Sequence, residues 1–360
     1  MKPLSVIAMN FVVLLVLALT AELVFGEWIA NSALGRLAVP RNVKVVVSAA
    51  SLYPGGGEFL YRRDAMGFRG PGVDLARVDI LTIGGSTTNQ LYLPEEATWQ
   101  AVLEQSLRQA GHDVTVVNAG IDGQSTAGMI ADLDFWLLDM PALKPHLVLA
   151  YVGINDVYKS GPATVNEAGR EDPRQILRDN LQYLNLMREI EQRSALVRLW
   201  TTIAGLIEAD RARLRHHAID FASARWTDQP AQPVWPPDQL KVNLAAYKDR
   251  LERIAGLIES MGAIPVFITQ TRADYRLQDG RLTGIVETNG PNGVDRGRAL
   301  TLFNAATLEV CRYRHVACLD LATELPFSEG DFYDYEHNTP QGAEKIGRWL
   351  AGKLDGLVSR

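Results

Sequence analysis

A serine and a histidine far apart in the chain have side chains suited to nucleophilic catalysis. Ser86 follows Gly84-Gly85, and two glycines allow the backbone to turn tightly beside the hydroxyl. A serine hydroxyl is a poor nucleophile until a base removes its proton, and His337 could be that base because histidine has an unperturbed pKa of about 6.5. Asp334 precedes His337 by three residues, close enough on a turn to accept the other ring N–H. Taken alone, Gly-Gly-Ser is common in loops, and the acid and the histidine could be a surface pair.

Two other polar segments, residues 118–125 and 153–156, each follow an apolar run directly, as Ser86 does. A fourth polar segment, residues 334–342, precedes the last helical pattern of the chain. In open α/β sheets, ligands bind beyond the carboxyl ends of the strands. Residues that do chemistry should therefore follow strands, and these segments are predicted to converge at one edge of a sheet.

The elements that must position these segments alternate between strands and helices. Alternation of this kind implies right-handed crossovers and a mostly parallel sheet of five strands that is covered on both faces. Short apolar runs predict strands at 78–83, 114–117, 147–152, 263–269 and 315–319. Helical periodicity predicts helices at 98–110, 127–138, 172–190, 240–261, 297–311 and 340–357.

The N-terminus differs from the rest of the chain because residues 4–21 carry no charge and are rich in Val, Leu, Ile and Ala. Such a run spans about 27 Å as a helix, close to the hydrocarbon thickness of a bilayer. Residues 1–26 are therefore predicted to be a transmembrane signal anchor, single-pass in a bacterial cytoplasmic membrane. The catalytic domain is expected on the extracytoplasmic, periplasmic side. A cleaved signal peptide remains the alternative.

The remaining chain divides into a lead-in at 27–75 and a main domain at 76–360, with an insertion at about 160–238. The insertion ends in a Pro-rich stretch, residues 229–237, which could be a lid over the site or a plain surface excursion. Residues 67–70, Gly-Phe-Arg-Gly, are expected to pack the lead-in against the sheet rather than to bind substrate. No internal repeat is recognisable.

The four polar segments, in their order along the chain, resemble blocks I, II, III and V of the SGNH hydrolases, also called the GDSL esterase and lipase superfamily. The resemblance extends from about residue 78 to the C-terminus, with the middle region unmatched. It implies a three-layer α/β/α fold of the flavodoxin-like SGNH type with a five-stranded parallel sheet. It also implies esterase, lipase, thioesterase or carbohydrate-deacetylase activity that needs no cofactor and no metal.

The resemblance also implies roles for individual residues. By position, Ser86 is similar to the nucleophile, His337 to the base and Asp334 to the carboxylate that orients the base. Gly123 matches the block II glycine and Asn155 the block III asparagine. With the backbone N–H of Ser86, these two residues are expected to form the oxyanion hole.

One position departs from the family pattern, because Gly85 stands where block I usually has an aspartate. That aspartate is not a member of the triad, so the change does not exclude activity. The form Gly-Gly-Ser-Thr-Thr, preceded by Gly-Phe-Arg-Gly, resembles a bacterial membrane-linked subset of the family. Because of this departure, the substrate of this chain is not inferred from the substrates of better-known esterases.

Composition narrows the classes of partner. The chain of 360 residues has 47% hydrophobic and 22% charged residues, a net charge of −6 and no long basic block, so nucleic acid is not an expected partner.

Cys311 and Cys318 lack the spacing of a metal site and could form a disulfide or remain buried thiols. His216-His217, after Arg211, Arg213 and Arg215, is predicted to be a solvated face rather than a metal site. Arg272, after the strand at 263–269, is a weaker candidate for substrate contact.

The sequence therefore predicts a serine hydrolase that cleaves an ester through an acyl-serine intermediate. The expected substrate is a small acyl or acetyl ester on a carbohydrate or lipid. Two alternatives remain open at this stage: an acyltransferase that uses the same triad, and a non-catalytic, membrane-tethered carbohydrate-binding module.

Overall fold

The computed structural model describes residues 3–25, 39–158, 194–197, 200, 216–278 and 280–358. The chain forms two compact units, one from Met1–Val39 and Asn166–Arg215 and the other from Pro40–Val165 and His216–Arg360. The second, larger unit contains every residue proposed above for catalysis. The helix predicted at 172–190 and the basic stretch before His216 lie outside the described residues.

The helices and strands have the following bounds. The strands in chain order are β1 (Val43–Ser48), β2 (Glu58–Arg63), β3 (Ile80–Gly84), β4 (Val116–Asn118), β5 (Leu147–Tyr151), β6 (Trp226–Thr227), β7 (Ile264–Ile268), β8 (Tyr275–Gln278), β9 (Arg281–Ile285) and β10 (Ala317–Leu319). The helices of the described residues are α1 (Pro3–Phe25), α2 (Ser86–Asn89), α3 (Trp99–Gln109), α4 (Thr126–Asp132), α5 (Pro237–Ser260), α6 (Gly293–Arg314), α7 (Leu321–Glu324) and α8 (Pro340–Val358).

Helix α1 lies in the smaller unit, and the side chains of its first residues lie outside the described part of the chain. Within the part that is described, no helix combines the length and the apolar character needed to cross a membrane. The transmembrane segment predicted for residues 1–26 therefore gains no support from the structure.

The central sheet has five parallel strands in the order β10-β7-β5-β3-β4, which confirms the predicted α/β fold and its five strands. The strands are short apolar runs. Two of them, β3 and β5, are buried along their whole length. Strands of this composition need cover on both faces, since neither face can remain in water. The order places β3, which leads to Ser86, between β5 and β4, which lead to the other two polar segments.

Helices cover both faces of the sheet. Alternate residues such as Leu147 and Leu149 pack in one cluster with Trp99 of α3 and with Ile346 and Leu350 of α8. Because successive strand side chains point to opposite faces, the buried residues between them face the other layer. That layer contains α5 and α6, whose Tyr247 and Phe303 rings lie 4.9 Å apart. The unit is thus a three-layer α/β/α arrangement, as predicted.

Several elements differ from the sequence prediction. The helix predicted at 127–138 ends as α4 at Asp132 and continues as a π-helical turn over Leu133–Leu137. Helix α6 begins at Gly293, four residues before the predicted start at 297, because a capping box precedes it: the Asn292 side chain accepts from the backbone of Asp295, whose carboxylate accepts from Asn292 N. The antiparallel sheet β6-β9-β8 was not predicted at all. Cys311 and Cys318 form a disulfide, one of the two states left open above.

Candidate active site

Ser86 is the first residue of the short helix α2, directly beyond the carboxyl end of β3. Gly84 and Gly85 precede it because neither position has room for a side chain. A Cβ on Gly84 would collide with the Thr88 side chain, and one on Gly85 would collide with the amide nitrogen of Asn155. The glycine pair therefore brings β3 and the turn against their neighbours and leaves the Ser86 side chain at the edge of the sheet.

The three predicted triad residues converge at this edge. The Oγ atom of Ser86 lies 2.8 Å from Nε2 of His337, and the Nδ1 atom of His337 lies 2.8 Å from Oδ2 of Asp334. These are hydrogen-bond distances, and they join residues separated by 251 positions in the chain. The arrangement can pass a proton from the serine to the imidazole while the carboxylate holds the opposite ring nitrogen.

The spacing of three residues between Asp334 and His337 has a local cause. The Oδ1 atom of Asp334 accepts from the backbone nitrogens of Glu336 at 2.8 Å and of His337 at 2.7 Å, so the aspartate caps its own turn. The turn brings the His337 ring back over the carboxylate. Its geometry fixes both partners before substrate binds.

The protonation states of this pair follow from their contacts. Burial alone would raise the pKa of Asp334, but hydrogen bonds from His216 and His337 outweigh it and hold the pKa well below its usual range. Burial alone would lower the pKa of His337, but the hydrogen bond and the charge of Asp334 outweigh it and raise the pKa above its usual value. The aspartate is therefore ionised at neutral pH, and it strengthens the histidine as a base.

Gly123 and Asn155 lie on the loops that follow β4 and β5, as predicted. The side-chain amide of Asn155 donates to the carbonyl of Gln124 at 2.7 Å, which joins the two loops beside Gly123. Gly123 has φ of +74°, a conformation that favours glycine. The position of Asn155 against Gly85 places its amide next to the residue that precedes the nucleophile. Only one of the two amide hydrogens is needed for the bond to Gln124.

Gln270 joins the nucleophile turn to the Asn155 loop and was not predicted to have a part in the site. Its Nε2 atom donates to Oγ1 of Thr87 at 2.8 Å, and its Oε1 atom accepts from the backbone nitrogen of Ile154 at 2.8 Å. Gln270 is buried and follows β7. It therefore ties the residue after Ser86 to the residue before Asn155.

Residues 67–70 join the lead-in to the sheet, as predicted, through a bridge from Arg69 to Asn118 of β4, and the lead-in also supports the nucleophile turn. The buried guanidinium of Arg69 donates to the carbonyl oxygens of Gln90 at 2.6 Å and Leu93 at 2.5 Å, just beyond α2. Arg63 donates to Asn89 Oδ1 at 3.2 Å and to the Gly120 carbonyl at 2.9 Å. The two arginines thus fix the chain that follows Ser86.

The Pro-rich stretch at 229–237 is attached to the loop that carries Asn155. The indole of Trp235 donates to the carbonyl of Val157 at 2.6 Å, and the backbone nitrogens of Ala231 and Gln232 donate to the Asp295 carboxylate. These contacts tie the stretch to Val157 and to the first turn of α6.

Two charged side chains near the site form an ion pair with each other. Arg272, a candidate for substrate contact, is buried and pairs with the Asp274 carboxylate at 2.8 and 2.9 Å and with Glu336. Its guanidinium is therefore satisfied by protein groups. The partner Glu336 lies between Asp334 and His337 in the chain, and its carboxylate completes the pairing of Arg272.

His216 was predicted to lie on a solvated face, and the structure places it in the site. Its Nδ1 atom lies 3.1 Å from Oδ2 of Asp334, and its ring centre lies 4.4 Å from that of His337. The local sequence, a histidine pair after a basic run, gives no signal of this contact. Among the described residues, His216, Asp334 and His337 are the only group of three potential metal-ligand side chains, with these atoms within 4.8 Å of one another. Each of them already takes part in a hydrogen bond with another of the three.

We expect Gly85→Ala to lower kcat for ester hydrolysis about 100-fold, the effect typical of losing one oxyanion-hole donor. The added methyl would displace the Asn155 amide and would also lie 2.9 Å from the Gln124 carbonyl. Steady-state kinetics on a p-nitrophenyl ester measure the effect. Gly256→Ala is the matched control, because a Cβ at that position in α5 meets nothing within 4 Å. Wild-type kcat in Gly85→Ala would contradict the close approach of Asn155.

Comparison with known proteins places these features in a family. Residues 82–345 match the model of the GDSL-like Lipase/Acylhydrolase family. The chain is 36% identical over 86 residues to an arylesterase of Vibrio mimicus, a match that covers 24% of this chain and 42% of that protein. It is 38% identical over 77 residues to esterase TesA of Pseudomonas aeruginosa, a match that covers 21% of this chain and 37% of that protein. The matches thus span less than half of these relatives.

Among solved structures, Est24, a carbohydrate acetylesterase from Sinorhizobium meliloti, aligns with a TM-score of 0.41 and 9% identity over 78% of this chain and 99% of that one. The crystal structure of TesA aligns with a TM-score of 0.42 and 16% identity, and the alignment covers 77% of this chain and 99% of that one.

Proposed function

The chain belongs to the GDSL-like lipase/acylhydrolase family, and from this premise we propose that it is a carboxylic ester hydrolase with Ser86 as its nucleophile. The observation that carries the proposal is the continuous hydrogen-bonded path from Ser86 Oγ through His337 to Asp334, with each step at 2.8 Å. A serine, a neutral imidazole and an ionised carboxylate in this order constitute an activated nucleophile.

The reaction proceeds in two halves. His337 Nε2 takes the proton of Ser86 as Oγ attacks the ester carbonyl carbon, and the carbonyl oxygen becomes an oxyanion. The C–O bond to the alcohol then breaks, and His337 returns the proton to the leaving oxygen, which gives an acyl-serine. Water, deprotonated by the same nitrogen, attacks the acyl carbon and releases the acid and free Ser86.

The backbone N–H of Ser86, the N–H of Gly123 and the Asn155 amide are the proposed oxyanion donors. Support comes from the contact of Asn155 with both Gly85 and Gln124, which brings these donors around one turn. Donors that are fixed before the reaction stabilise the developing charge without reorganisation. Gln270 and the lead-in arginines supply that rigidity through the contacts described above.

We propose a small acyl ester of a polar alcohol as the substrate. A cavity of about 310 Å³, near the lower end of ligand-site volumes, reaches Phe332, two residues before Asp334, and Arg272, and none of the proposed triad residues lines it. Aromatic and charged side chains line it together, including Phe221, Phe332, Arg276 and Glu329. Apolar rings with a few polar groups suit a carbohydrate better than a long acyl chain. Turnover of acetylated sugars against long-chain p-nitrophenyl esters tests this, and a preference for long chains would contradict it.

The catalytic pH profile should reflect the pairing of His337 with Asp334. His337 must be neutral to accept the Ser86 proton, and its pKa is raised by the carboxylate. Activity should therefore be lost as pH falls through an apparent pKa above the usual value of about 6.5. A profile of kcat/KM from about pH 5 to pH 9 measures it. An acid limb with a midpoint clearly below the usual histidine value would contradict the strengthened base.

The test of the proposed function is covalent labelling with a fluorophosphonate probe, followed by mass spectrometry of the peptides. An activated serine displaces the fluoride and forms a stable phosphonyl adduct. We expect the label on Ser86 and on no other serine. Ser260→Ala, which changes an exposed serine at the end of α5, should label as the wild type does. Absence of label from Ser86 in protein that is folded would refute the proposal.

We also propose that the catalytic unit works in an oxidising compartment. The disulfide between Cys311 and Cys318 supports this, since such bonds persist chiefly in extracytoplasmic proteins. The periplasmic location predicted from the sequence stays a prediction. Thiol alkylation in freshly lysed cells tests the proposal, and two freely alkylated cysteines would count against it.

A further inference from the structure

His216 makes four contacts around the catalytic pair. Its Nδ1 atom lies 3.1 Å from Oδ2 of Asp334 and 3.2 Å from the hydroxyl oxygen of Tyr333. Its ring centre lies 4.4 Å from that of His337 and 4.8 Å from that of Tyr92. The histidine is therefore held on two sides by rings and directed at one carboxylate oxygen.

The tautomer of His216 follows from this environment. The Asp334 carboxylate is ionised, because its pKa is held well below the usual range. A lone pair on Nδ1 at 3.1 Å from a carboxylate oxygen would be repulsive, so Nδ1 must carry a hydrogen and donate it. The Tyr333 oxygen then accepts a share of the same N–H. Asp334 Oδ2 thus accepts from two imidazoles, His216 and His337.

We propose that His216 is a positioning residue of the catalytic network, which donates its Nδ1–H to Asp334, holds the carboxylate against His337 and moderates the basicity that Asp334 gives to His337. This inference rests on the proposed function. The hydrogen bonds of His216 go to Asp334 and Tyr333, so its effect on the base passes through Asp334. A carboxylate whose charge is shared with a second donor stabilises the His337 imidazolium less than an unshared one.

The other groups that face His337 set the direction of the effect. Asp122 and Glu336 are acidic and raise the pKa of His337 further, after the larger contributions of Asp334. The Tyr333 ring stacks on His337 at 5.7 Å, and burial raises the pKa of its phenol, so it stays neutral. The charged groups that raise the pKa of His337 are thus acidic, and one of them, Glu336, pairs with Arg272. His216 is the donor that opposes this trend.

Two substitutions separate the hydrogen bond from the ring packing. His216→Phe keeps a ring against Tyr92 and His337 but removes the donor. His216→Asn removes the ring but keeps an N–H near the position of Nδ1. His217→Phe is the matched control, because this neighbouring histidine is exposed.

The experiment combines NMR titration of the His337 ring in isotope-labelled protein with the pH profile of kcat and KM. In His216→Phe we expect the His337 pKa to rise by about one unit. The midpoint of the acid limb of the kcat/KM profile should move to higher pH by the same amount. The value of kcat should fall about tenfold, with KM little changed. His216→Asn should restore the wild-type midpoint to within about half a unit. His217→Phe should match the wild type throughout.

The outcomes distinguish the two proposals. An unchanged His337 pKa in His216→Phe would overturn the role of His216, even if the protein is an esterase. A wild-type protein that hydrolyses no ester would refute the proposed function, and the NMR titration would still decide whether His216 acts on His337. Should His216→Phe fail to fold, the nitrogen shifts of wild-type His216 decide instead. A protonated Nδ1 supports the proposal, and an unprotonated Nδ1 overturns it.

Discussion

Ser86→Ala should lower kcat for ester hydrolysis by about a millionfold. Oγ of Ser86 is the proposed attacking atom of the first step, and His337 lies in hydrogen-bond contact with it. Without that oxygen no acyl-serine can form, and His337 has no proton to accept in the first step. The oxyanion donors and the cavity remain, so the residual rate should exceed that in water by about a thousandfold.

Steady-state turnover of p-nitrophenyl acetate by the wild type and by Ser86→Ala measures this effect. Ser260→Ala, at an exposed position on α5, controls for the loss of a hydroxyl elsewhere in the molecule. The double variant Ser86→Ala with His337→Ala should be no slower than Ser86→Ala, because a triad acts as one unit. Substantial turnover by Ser86→Ala would require another nucleophile and would refute the assignment.

The convergence of Ser86, Asp334 and His337 could be predicted because the order of the four polar segments resembles a known family and because each segment has a local position beside a strand or a helix. Each strand of the central sheet is a short apolar run, and a parallel order brings all the following loops to one edge. The Asp334–His337 spacing has an equally local cause, a carboxylate that caps its own turn through Glu336 N and His337 N. Residues that follow a strand or occupy a turn can therefore be placed at this edge from the sequence, and their proposed roles come from the family resemblance.

The role of Gly85 could be predicted only in part. The sequence shows that glycine replaces the family aspartate, but it cannot show what occupies the space of the missing side chain. In the structure that space holds the Asn155 amide and the Gln124 carbonyl, both from loops more than thirty residues later. Close packing between distant loops decides the residue type there, and no periodicity in the local sequence reports it.

His216 and Gln270 could not be predicted for a related reason. His216 lies in an irregular segment, where the side-chain direction depends on tertiary contacts and not on a repeating pattern. Gln270 follows β7 as the strand rule requires, but an uncharged amide gives no chemical signal of its own. Both act by hydrogen-bonding other site residues, Asp334 in one case and Thr87 in the other. Supporting contacts of this type are visible only once the loops have been brought together.

Asp334→Asn should lower kcat about ten-thousandfold at neutral pH, the effect of placing the base in the wrong tautomer. The backbone nitrogens of Glu336 and His337 donate to the Oδ1 position, so the asparagine oxygen must lie there. Its NH₂ group then takes the Oδ2 position and donates to Nδ1 of His337. Nδ1 of His337 lies 2.8 Å from this donor and 3.0 Å from the oxygen position, so the shorter contact favours the tautomer with its proton on Nε2, which can no longer accept the proton of Ser86.

The same geometry implies that Asp334→Asn should be at least as slow as Asp334→Ala. Alanine leaves His337 free to exchange tautomers, whereas asparagine enforces the inactive one, and its NH₂ also opposes the N–H of His216 across 3.1 Å. Parallel kinetics of the two variants, with far-UV circular dichroism to establish that both fold, measure the ranking. If Asp334→Asn were clearly faster than Asp334→Ala, the backbone donors would not control the orientation of the side chain. The carboxylate would then act mainly through its charge.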